Sequence, residues 1–516
     1  MRCCCALALQ LLLLAPNVAT AEGGEETFPL LLTGDDHRYS PLVRYEPRKM
    51  LIEAPLSMRA RLEGIGDYPV DLQRTGQRTT LHTGAFGNVQ ARVGLKINTR
   101  RALIPFNLGA EYEHDLVTGP IGGEPDIVGD GLPNSEGLEQ QLRKAYGRVS
   151  LGYYLHLIGG LMTSQWGMGL LSNDGAHTWE PGSAAFTDPR GGDRVVRVAL
   201  STGPLTRLGL FAAVGYDWIY ADDVTLEEDD ARQLITAVAI GRDRPHTLGV
   251  YLVWRTQEAP DGDTTDVTVV DLHGRTSFAP TPRLKLALEL ESALVVGETG
   301  LGSSPEYPNK DVLQLGVAVR ASLGYREKVG AVIDFLYASG DENFDDEKQN
   351  AFKPDPNYEM GLLLYRHVMA GQTGRAPFNA SNPNLVGTPN EDLDRFPTRE
   401  SASNTIAIFP RVWWRPTTGV ELYGGPLFAF TAVALADPLN TRLAGGVPRN
   451  SFNASPGSYL GTELDIGARF QALVAGTLLN LGVEGGALFP GSAFEGEDGQ
   501  GMDAVLGGRV MLGYQF

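Results

Sequence analysis

Apolar and polar residues alternate along most of this chain with a period of two. In the stretch from Leu313 to Tyr325, for example, Leu313, Leu315 and Val317 are separated by small or polar residues. A two-residue period places the two kinds of residue on opposite faces of a β-strand. The alternating segments are roughly ten or more residues long, which is the length of a tilted transmembrane strand. The pattern therefore predicts strands with an apolar environment on one face and water on the other.

About 18 such segments follow one another, a number typical of a large outer-membrane barrel. The predicted strands are 51–63, 89–99, 104–114, 143–157, 160–170, 193–202, 206–220, 231–242, 246–258, 265–278, 282–296, 311–325, 327–340, 404–416, 418–434, 459–474, 477–489 and 503–516. Aromatic residues near their ends, such as Trp218, Trp254, Trp413 and Trp414, fit the interfacial girdle of a membrane barrel.

The connections between these segments alternate between short turns and long polar loops. Thr202-Gly203-Pro204 and Arg326-Glu327 are short turns, whereas 114–142, 170–193 and 340–404 are long. Short periplasmic turns and longer outer loops are typical of outer-membrane barrels, and a soluble sandwich has no reason to alternate so strictly. The fold class predicted is thus all-β, a transmembrane antiparallel β-barrel of about 18 strands.

The two ends of the chain are consistent with export. Met1-Arg2, the apolar run from Cys3 to Ala15 and the motif Ala19-Thr20-Ala21 predict a cleaved signal peptide at 1–21. We expect a periplasmic segment at 22–50 and the barrel at 51–516. The final strand alternates to its end, with Tyr514 and Phe516 on the apolar face. We interpret these two aromatic residues as the signal that the barrel-assembly machinery reads.

Composition excludes several classes of function. The formal charge is −19, which argues against a nucleic-acid partner. All three cysteines lie in the predicted signal peptide, so we expect neither a disulfide nor a thiolate metal site. The chain lacks G-x-S-x-G, H-E-x-x-H and P-loop motifs. We therefore predict no enzyme activity, no cofactor and no metal.

If the apolar positions face lipid, the alternate positions line the lumen. At those lumen positions basic residues outnumber acidic ones, although the whole chain holds 43 Lys and Arg against 62 Asp and Glu. Rings of such cations favour anions. The alternative interpretation is that they form internal ion pairs that support the wall. The predicted lumen residues are Arg92, Lys96, Arg148, Arg197, Arg255, Arg275, Lys285, Arg320, Arg411, Arg469 and Arg509.

An 18-stranded barrel is wide enough for an aqueous channel unless something fills it. The loop at 341–403, which carries an acidic run and a predicted short helix from Tyr358 to Ala370, is the candidate. Folded inward, it would narrow the pore. Folded outward, it would bind divalent cations together with lipopolysaccharide or be solvated.

This loop contains a motif that resembles the alginate-export family of outer-membrane proteins. The residues are Tyr337-Ala338-Ser339-Gly340-Asp341, then Asp345-Asp346 and Phe352-Lys353-Pro354. The stretch from Gln165 to Gly175 also looks like deltaproteobacterial barrel proteins related to that family. The resemblance implies an 18-stranded barrel with an arginine-lined pore for a polyuronate. It also implies a selectivity-loop role for Asp341, Asp345 and Asp346.

Together these observations predict a passive outer-membrane channel for anionic oligo- or polysaccharides or small anions. Its expected partners are outer-membrane lipid, lipopolysaccharide and the barrel-assembly machinery. The alternative is a structural or surface-interaction barrel with a plugged lumen.

Overall fold

The computed structural model describes residues 43–45, 50–72, 76–82, 84–99, 106–119, 138–151, 155–205, 208–226, 228–241, 245–304, 306–380, 393–474 and 477–515. They form a closed antiparallel barrel of 18 strands, which confirms the predicted fold class. In this part of the chain, none of the helices has the length and apolar character needed to cross a membrane.

The barrel strands are numbered in chain order. They are β1 (Leu56–Ile65), β2 (Gly84–Thr99), β3 (Phe106–Thr118), β4 (Leu138–Leu151), β5 (Leu155–Thr163), β6 (Arg194–Leu205), β7 (Leu210–Ala221), β8 (Asp230–Ile240), β9 (His246–Glu258), β10 (Thr264–Thr281), β11 (Leu284–Thr299), β12 (Lys310–Tyr325), β13 (Val329–Ala338), β14 (Thr405–Thr417), β15 (Val420–Phe430), β16 (Tyr459–Val474), β17 (Thr477–Pro490) and β18 (Val505–Gln515).

Each strand pairs with the next one in the chain, and β18 pairs with β1 to close the sheet, with Arg509 opposite Glu63. The chain also extends β1 backward across Pro55, because Met50–Ala54 pairs with the end of β2. Val43–Tyr45 adds a short antiparallel segment to Met50–Ala54. The sheet thus takes in residues 43–45 and Met50 of the segment predicted at 22–50, most of which lies outside the described residues.

The two faces of the wall differ as the alternating pattern predicts. On β18, Val510 and Leu512 are 43% and 46% exposed on the outer face, whereas Arg509 and Met511 are buried within the barrel. The same alternation of exposed apolar and buried residues recurs around the sheet. Tyr514 belongs to β18, and Phe516 lies outside the described residues.

The long connections all lie at one end of the barrel, and the short turns at the other. Long connections follow the odd-numbered strands except β9, which continues to β10 through the short connection 259–263, and the longest runs from residue 339 to 404 between β13 and β14. That loop contains a short strand, Lys348–Gln349, a π-helical turn, Leu364–Met369, and the helix α1, Ala370–Ala380, followed by a 3-10 turn, Leu393–Arg395. Other long connections hold the hairpin Tyr68–Leu72 and Arg78–Leu81, the helix α2, Pro438–Leu443, and a 3-10 turn, Ser492–Phe494.

Three details of the sequence analysis were wrong. Strands β4 and β5 lie several residues before the predicted 143–157 and 160–170. Gly160 (φ +131°) lies within β5 and passes so close to β4 that a Cβ atom would lie 2.4 Å from the carbonyl oxygen of Ala145.

The helical segment begins at Leu364 rather than Tyr358 and runs on to Ala380. Trp413 is buried on the lumen side, while its neighbour Trp414 is 54% exposed. Consecutive residues of one strand cannot both face lipid, so only Trp414 suits the aromatic girdle.

Candidate functional site

Two long loops fold back into the barrel. The first inward loop is 164–193, between β5 and β6, and the second is 339–404. In the first, Trp166 stacks on Tyr251 of β9 with ring centroids 5.2 Å apart, and Phe186 stacks on Phe409 of β14 at 5.9 Å. In the second, Phe352 and the residues from Leu362 to Met369 are almost fully buried. Of the two orientations left open for the second loop, the structure has the inward one.

Carboxylates of the wall hold both loops by accepting hydrogen bonds from loop backbone. Glu463 on β16 accepts the N–H groups of Leu362 at 2.5 Å and of Leu363 and Leu364 at 2.8 Å. On β11, Glu291 accepts the N–H of Leu170 at 3.1 Å. Backbone N–H groups outside regular secondary structure need hydrogen-bond acceptors when they are buried. These wall acids supply them and so fix the loops across the lumen.

A network of arginines and acids lies between the first loop and strands β1 and β18. Asp188 of that loop contacts Arg61, and it lies 3.1 Å from Arg59 and 2.8 Å from Arg366. Burial opposes ionisation of Asp188, but the surrounding guanidinium groups outweigh it and hold the pKa of this carboxyl well below its usual range. Asp188 therefore stays charged and ties the loop to the wall.

Most of the predicted lumen cations belong to ion pairs. Arg320 and Arg411 share Asp334, and Arg469 and Arg509 share Glu484. The nine predicted residues with a carboxylate partner within 4 Å are Arg92, Lys96, Arg197, Arg255, Lys285, Arg320, Arg411, Arg469 and Arg509. Arg148 bonds to the side-chain oxygen of Asn98 at 3.0 Å, and Arg275 is exposed. Lys285 is also exposed, in a pair with Glu327 at the short-turn end.

The three predicted loop acids lie near the start of the second loop. Asp341 accepts the N–H groups of Asn343 at 2.9 Å and Asn350 at 3.0 Å, and its burial raises its pKa to about 6. Asp345 lies 3.7 Å from Arg442, and Asp346 accepts the N–H of Lys348 at 2.8 Å. These bonds shape the loop where it leaves β13.

Above the buried part of the loops, toward the long-loop end, lies a cavity of about 220 Å³, here called the outer cavity. The carboxylates of Asp193, Asp223 and Asp355 meet there, with one oxygen of each within 4.8 Å of the others. We call these three residues the carboxylate trio. Desolvation raises the pKa of Asp223 to about 7, and burial raises those of Asp193 and Asp355 well above the usual range. The spacing of the trio is one that could hold a cation, and the sequence analysis did not identify it.

Toward the short-turn end lies a second cavity of about 80 Å³, here called the inner cavity. Among the described residues its lining includes Arg59, Arg92 and Arg469 and no aspartate or glutamate. The first inward loop contributes Trp179 and Thr187 to the same lining. The two cavities thus differ in charge, because the described lining of the outer one holds both acids and bases, whereas only arginines carry charge at the inner one.

Several of these residues could have been found in the sequence, and others could not. Arg59 and Arg61 occupy the inward positions of β1 by the same alternation that identified Arg92. Trp179 and Asp188 lie in a loop with no periodic pattern. Only their charge and aromatic character set them apart, and neither reveals that the loop folds inward.

No family model matches this chain, and no curated protein matches it. Solved structures with a similar chain path include Pseudomonas aeruginosa OccK2 (OpdF) in complex with glucuronate, which is 12% identical over 90% of this chain and 98% of that one, with a TM-score of 0.46. Pseudomonas aeruginosa OprD is 10% identical over 90% and 95%, with a TM-score of 0.49. Acinetobacter baumannii OccAB1 is 9% identical over 90% and 96%, with a TM-score of 0.49. At these identities the function has to be inferred from this chain's own residues.

Proposed function

We propose that this chain is a passive channel that lets small anionic solutes cross an outer membrane. The observation that carries the proposal is a closed barrel with an apolar exterior, whose lumen contains a cavity where the described lining residues include three arginines and no carboxylate. Arginine groups at a narrow point of a pore attract anions and repel cations. The solute gradient supplies the driving force.

The remaining lumen charges have less influence on ion selectivity. Arg411 and Arg509 line neither cavity, and each contacts a carboxylate, so these pairs present little net charge to a passing ion. Arg59, Arg92 and Arg469 are also paired, but they face the inner cavity while their acids lie outside its lining. The carboxylate trio would oppose anions if it were fully ionised. Because its pKa values are raised, the trio carries fewer than three charges near neutral pH. The inner cavity is then the part of the lumen that determines the preferred sign of charge.

Reconstitution of the purified chain into planar bilayers tests this proposal. In a KCl gradient we expect conductance steps whose reversal potential indicates a preference for Cl⁻ over K⁺. Arg92→Gln, which removes one of the three cavity cations, should reduce that preference. The matched control is Lys285→Gln, in an exposed pair at the short-turn end, which should leave it unchanged. A silent bilayer, or a preference for K⁺, contradicts the proposal.

Among anionic solutes, small carboxylated sugars suit the lumen better than a folded polymer. The inward loops leave cavities of only about 220 and 80 Å³, so a polyuronate would have to pass as an extended chain. Liposomes that contain the protein should take up glucuronate faster than glucose, because glucose lacks the carboxylate. Equal uptake of both sugars contradicts a preference for uronates, and uptake of oligouronates would extend the solute class toward the polysaccharide implied by the family resemblance.

The proposed setting is the outer membrane of a Gram-negative cell, after cleavage of the signal peptide at 1–21. The exposed apolar belt suits lipid and lipopolysaccharide, and the alternating last strand suits recognition by the barrel-assembly machinery. Membrane fractionation of expressing cells, with N-terminal sequencing of the mature protein, tests both points. Recovery in the periplasmic fraction, or an intact N-terminus, contradicts them.

A sealed structural barrel is a second candidate, favoured by how completely the inward loops are anchored to the wall. Phe352, Leu364 and Val368 are at most 1% exposed. Deletion of residues 342–400 separates the two candidates. A silent wild-type chain and an open deletion variant would favour a plugged or gated barrel. Conduction by the wild-type chain favours the channel, and silence of both chains favours a purely structural role.

A further inference from the structure

The inner cavity contains hydrogen-bonding atoms that no described residue satisfies. Trp179 is 5% exposed, and its indole Nε1–H has no acceptor. The hydroxyl of Thr187, the guanidinium Nε of Arg59 and the amide oxygens of Asn480 and Gln515 are also without partners. All five side chains line this one cavity. Buried polar atoms in native proteins are normally hydrogen-bonded, so such a concentration needs an explanation.

We propose that the inner cavity is a binding site for the oxyanion head of the solute, a carboxylate or a phosphate group. This inference rests on the proposed anion channel and adds a defined site to it. The indole N–H can only donate, as can the guanidinium Nε, so their natural partner is an oxygen acceptor. The amides of Asn480 and Gln515 can present either their oxygen or their NH₂ group, and the Thr187 hydroxyl can also donate. Among the described residues of the lining, no acid competes for these donors.

The arginines of the site are held in place from behind. Arg59 donates to the carbonyl oxygen of Pro189 at 2.7 Å, and Arg92 forms two bonds to Asp115 at 2.7 and 2.8 Å. Arg469 donates to Glu484 at 2.6 Å. Side chains that are already ordered lose little conformational freedom when a ligand binds. The acids behind them also reduce the net positive charge, which keeps binding reversible, as conduction through a channel requires.

Trp179 is itself held in a fixed position. Its ring stacks on Tyr423 with centroids 6.3 Å apart, and the guanidinium carbon of Arg469 lies 5.8 Å from the ring centre. The indole is therefore oriented by its neighbours, and the N–H direction is set before a ligand arrives. With a volume of about 80 Å³, the cavity has room for several water molecules or for one oxyanion head, while the rest of a sugar would have to lie in the lumen.

Isothermal titration of the purified full-length chain with glucuronate, and separately with inorganic phosphate, tests the site. We expect glucuronate or phosphate to bind and glucose to bind far more weakly. Trp179→Phe keeps the aromatic ring but loses the N–H, so affinity should fall about ten- to hundredfold, as expected for one hydrogen bond to a charged group. Thr187→Val, which loses only the hydroxyl, should weaken binding by a smaller factor.

Thr163→Val is the matched control, because the Thr163 hydroxyl is buried and also without a partner but lines neither cavity. That variant should bind as the wild-type chain does. Binding of glucuronate alone identifies a carboxylate site, and binding of both anions identifies a general oxyanion site. The inference is overturned if neither anion binds, if glucose binds equally well, or if Trp179→Phe binds like the wild type. In each of those cases, Cl⁻-selective conductance in planar bilayers would still support the proposed function. Failure of the binding site can therefore be distinguished from failure of the channel proposal.

Discussion

Replacement of Glu463 should release the second inward loop from the barrel wall. This carboxylate accepts three backbone N–H groups, from Leu362, Leu363 and Leu364, and it is fully buried. One oxygen serves the first two groups and the other oxygen serves the third. Glu463→Gln keeps one acceptor oxygen and places an NH₂ group against the N–H of Leu364. Glu463→Leu removes both acceptor oxygens and leaves all three N–H groups without their partner.

The size of the effect follows from the number of donors left without a partner. A buried donor that loses its acceptor costs about 1–3 kcal/mol. Glu463→Gln should therefore destabilise the inward position of the loop by about that amount, and Glu463→Leu by roughly 3–9 kcal/mol at most, since water and loop movement recover part of it. Because about 1.4 kcal/mol changes an equilibrium tenfold, even 3 kcal/mol shifts the balance between inward and released loop by about a hundredfold.

Cysteine labelling measures this shift directly. The cysteines of the chain all lie at positions 3 to 5, so Leu364→Cys gives a single reporter once the predicted signal peptide has been removed. Residue 364 is fully buried, and a hydrophilic maleimide should label it slowly while the loop is seated. Labelling should accelerate modestly with Glu463→Gln and at least tenfold with Glu463→Leu, together with a rise in conductance.

The matched control is Glu298→Gln, which changes an exposed carboxylate on β11 instead of a buried one. It should leave the labelling rate unchanged. If the Glu463→Leu variant folds into a barrel and is labelled no faster than the parent, the three hydrogen bonds do not hold the loop, and the reasoning is refuted.

Three further predictions concern pH, packing and ion pairs. The carboxylate trio has raised pKa values, so the folded chain holds protons that the unfolded chain releases. For Asp223, the resulting stabilisation of the folded state is complete below about pH 3.8 and disappears as the pH rises through about 7. Anion preference, measured by reversal potential, should fall between pH 6 and 8, and Asp223→Asn should remove much of that dependence. Gly316→Val should destabilise the barrel by about 1–3 kcal/mol in denaturant unfolding, because even a Cβ atom at residue 316 would lie 2.2 Å from the ring of Phe352. Unchanged stability of this variant would contradict the contact. Arg509→Met should cost about 3–5 kcal/mol at most in the same assay, since it removes one of the two guanidinium groups that contact the buried Glu484. Lys285→Met, in an exposed pair, should have no measurable effect.

The sequence predicted the barrel well because lipid imposes a strict two-residue period on every strand. All 18 predicted segments overlap the observed strands in the same order. Errors occurred at strand boundaries, as for β4 and β5, and where an aromatic residue has two explanations. Trp413 was assigned to the girdle although it faces inward.

The site was less predictable, because loops carry no period that sets the direction of a side chain. Arg197 and Arg469 are buried on the inner face of the wall, and their ion pairs depend on which acid lies on the neighbouring strand. Asp188 and Trp179 lie in a loop whose path is set by contacts with residues more than a hundred positions away in the chain. The local sequence of the loop therefore does not predict those contacts.

In the proposed channel, loop position and ion selectivity are coupled because the same acids serve both. While the loops are seated, Glu463 and Glu291 are occupied by backbone N–H groups and hidden from the lumen. If a loop moves out, those carboxylates face water inside the pore and add negative charge to it. The lumen then becomes wider and at the same time less attractive to anions. A count of charged residues on the inward face cannot express this, since the charge that a solute meets depends on whether the loops cover the wall.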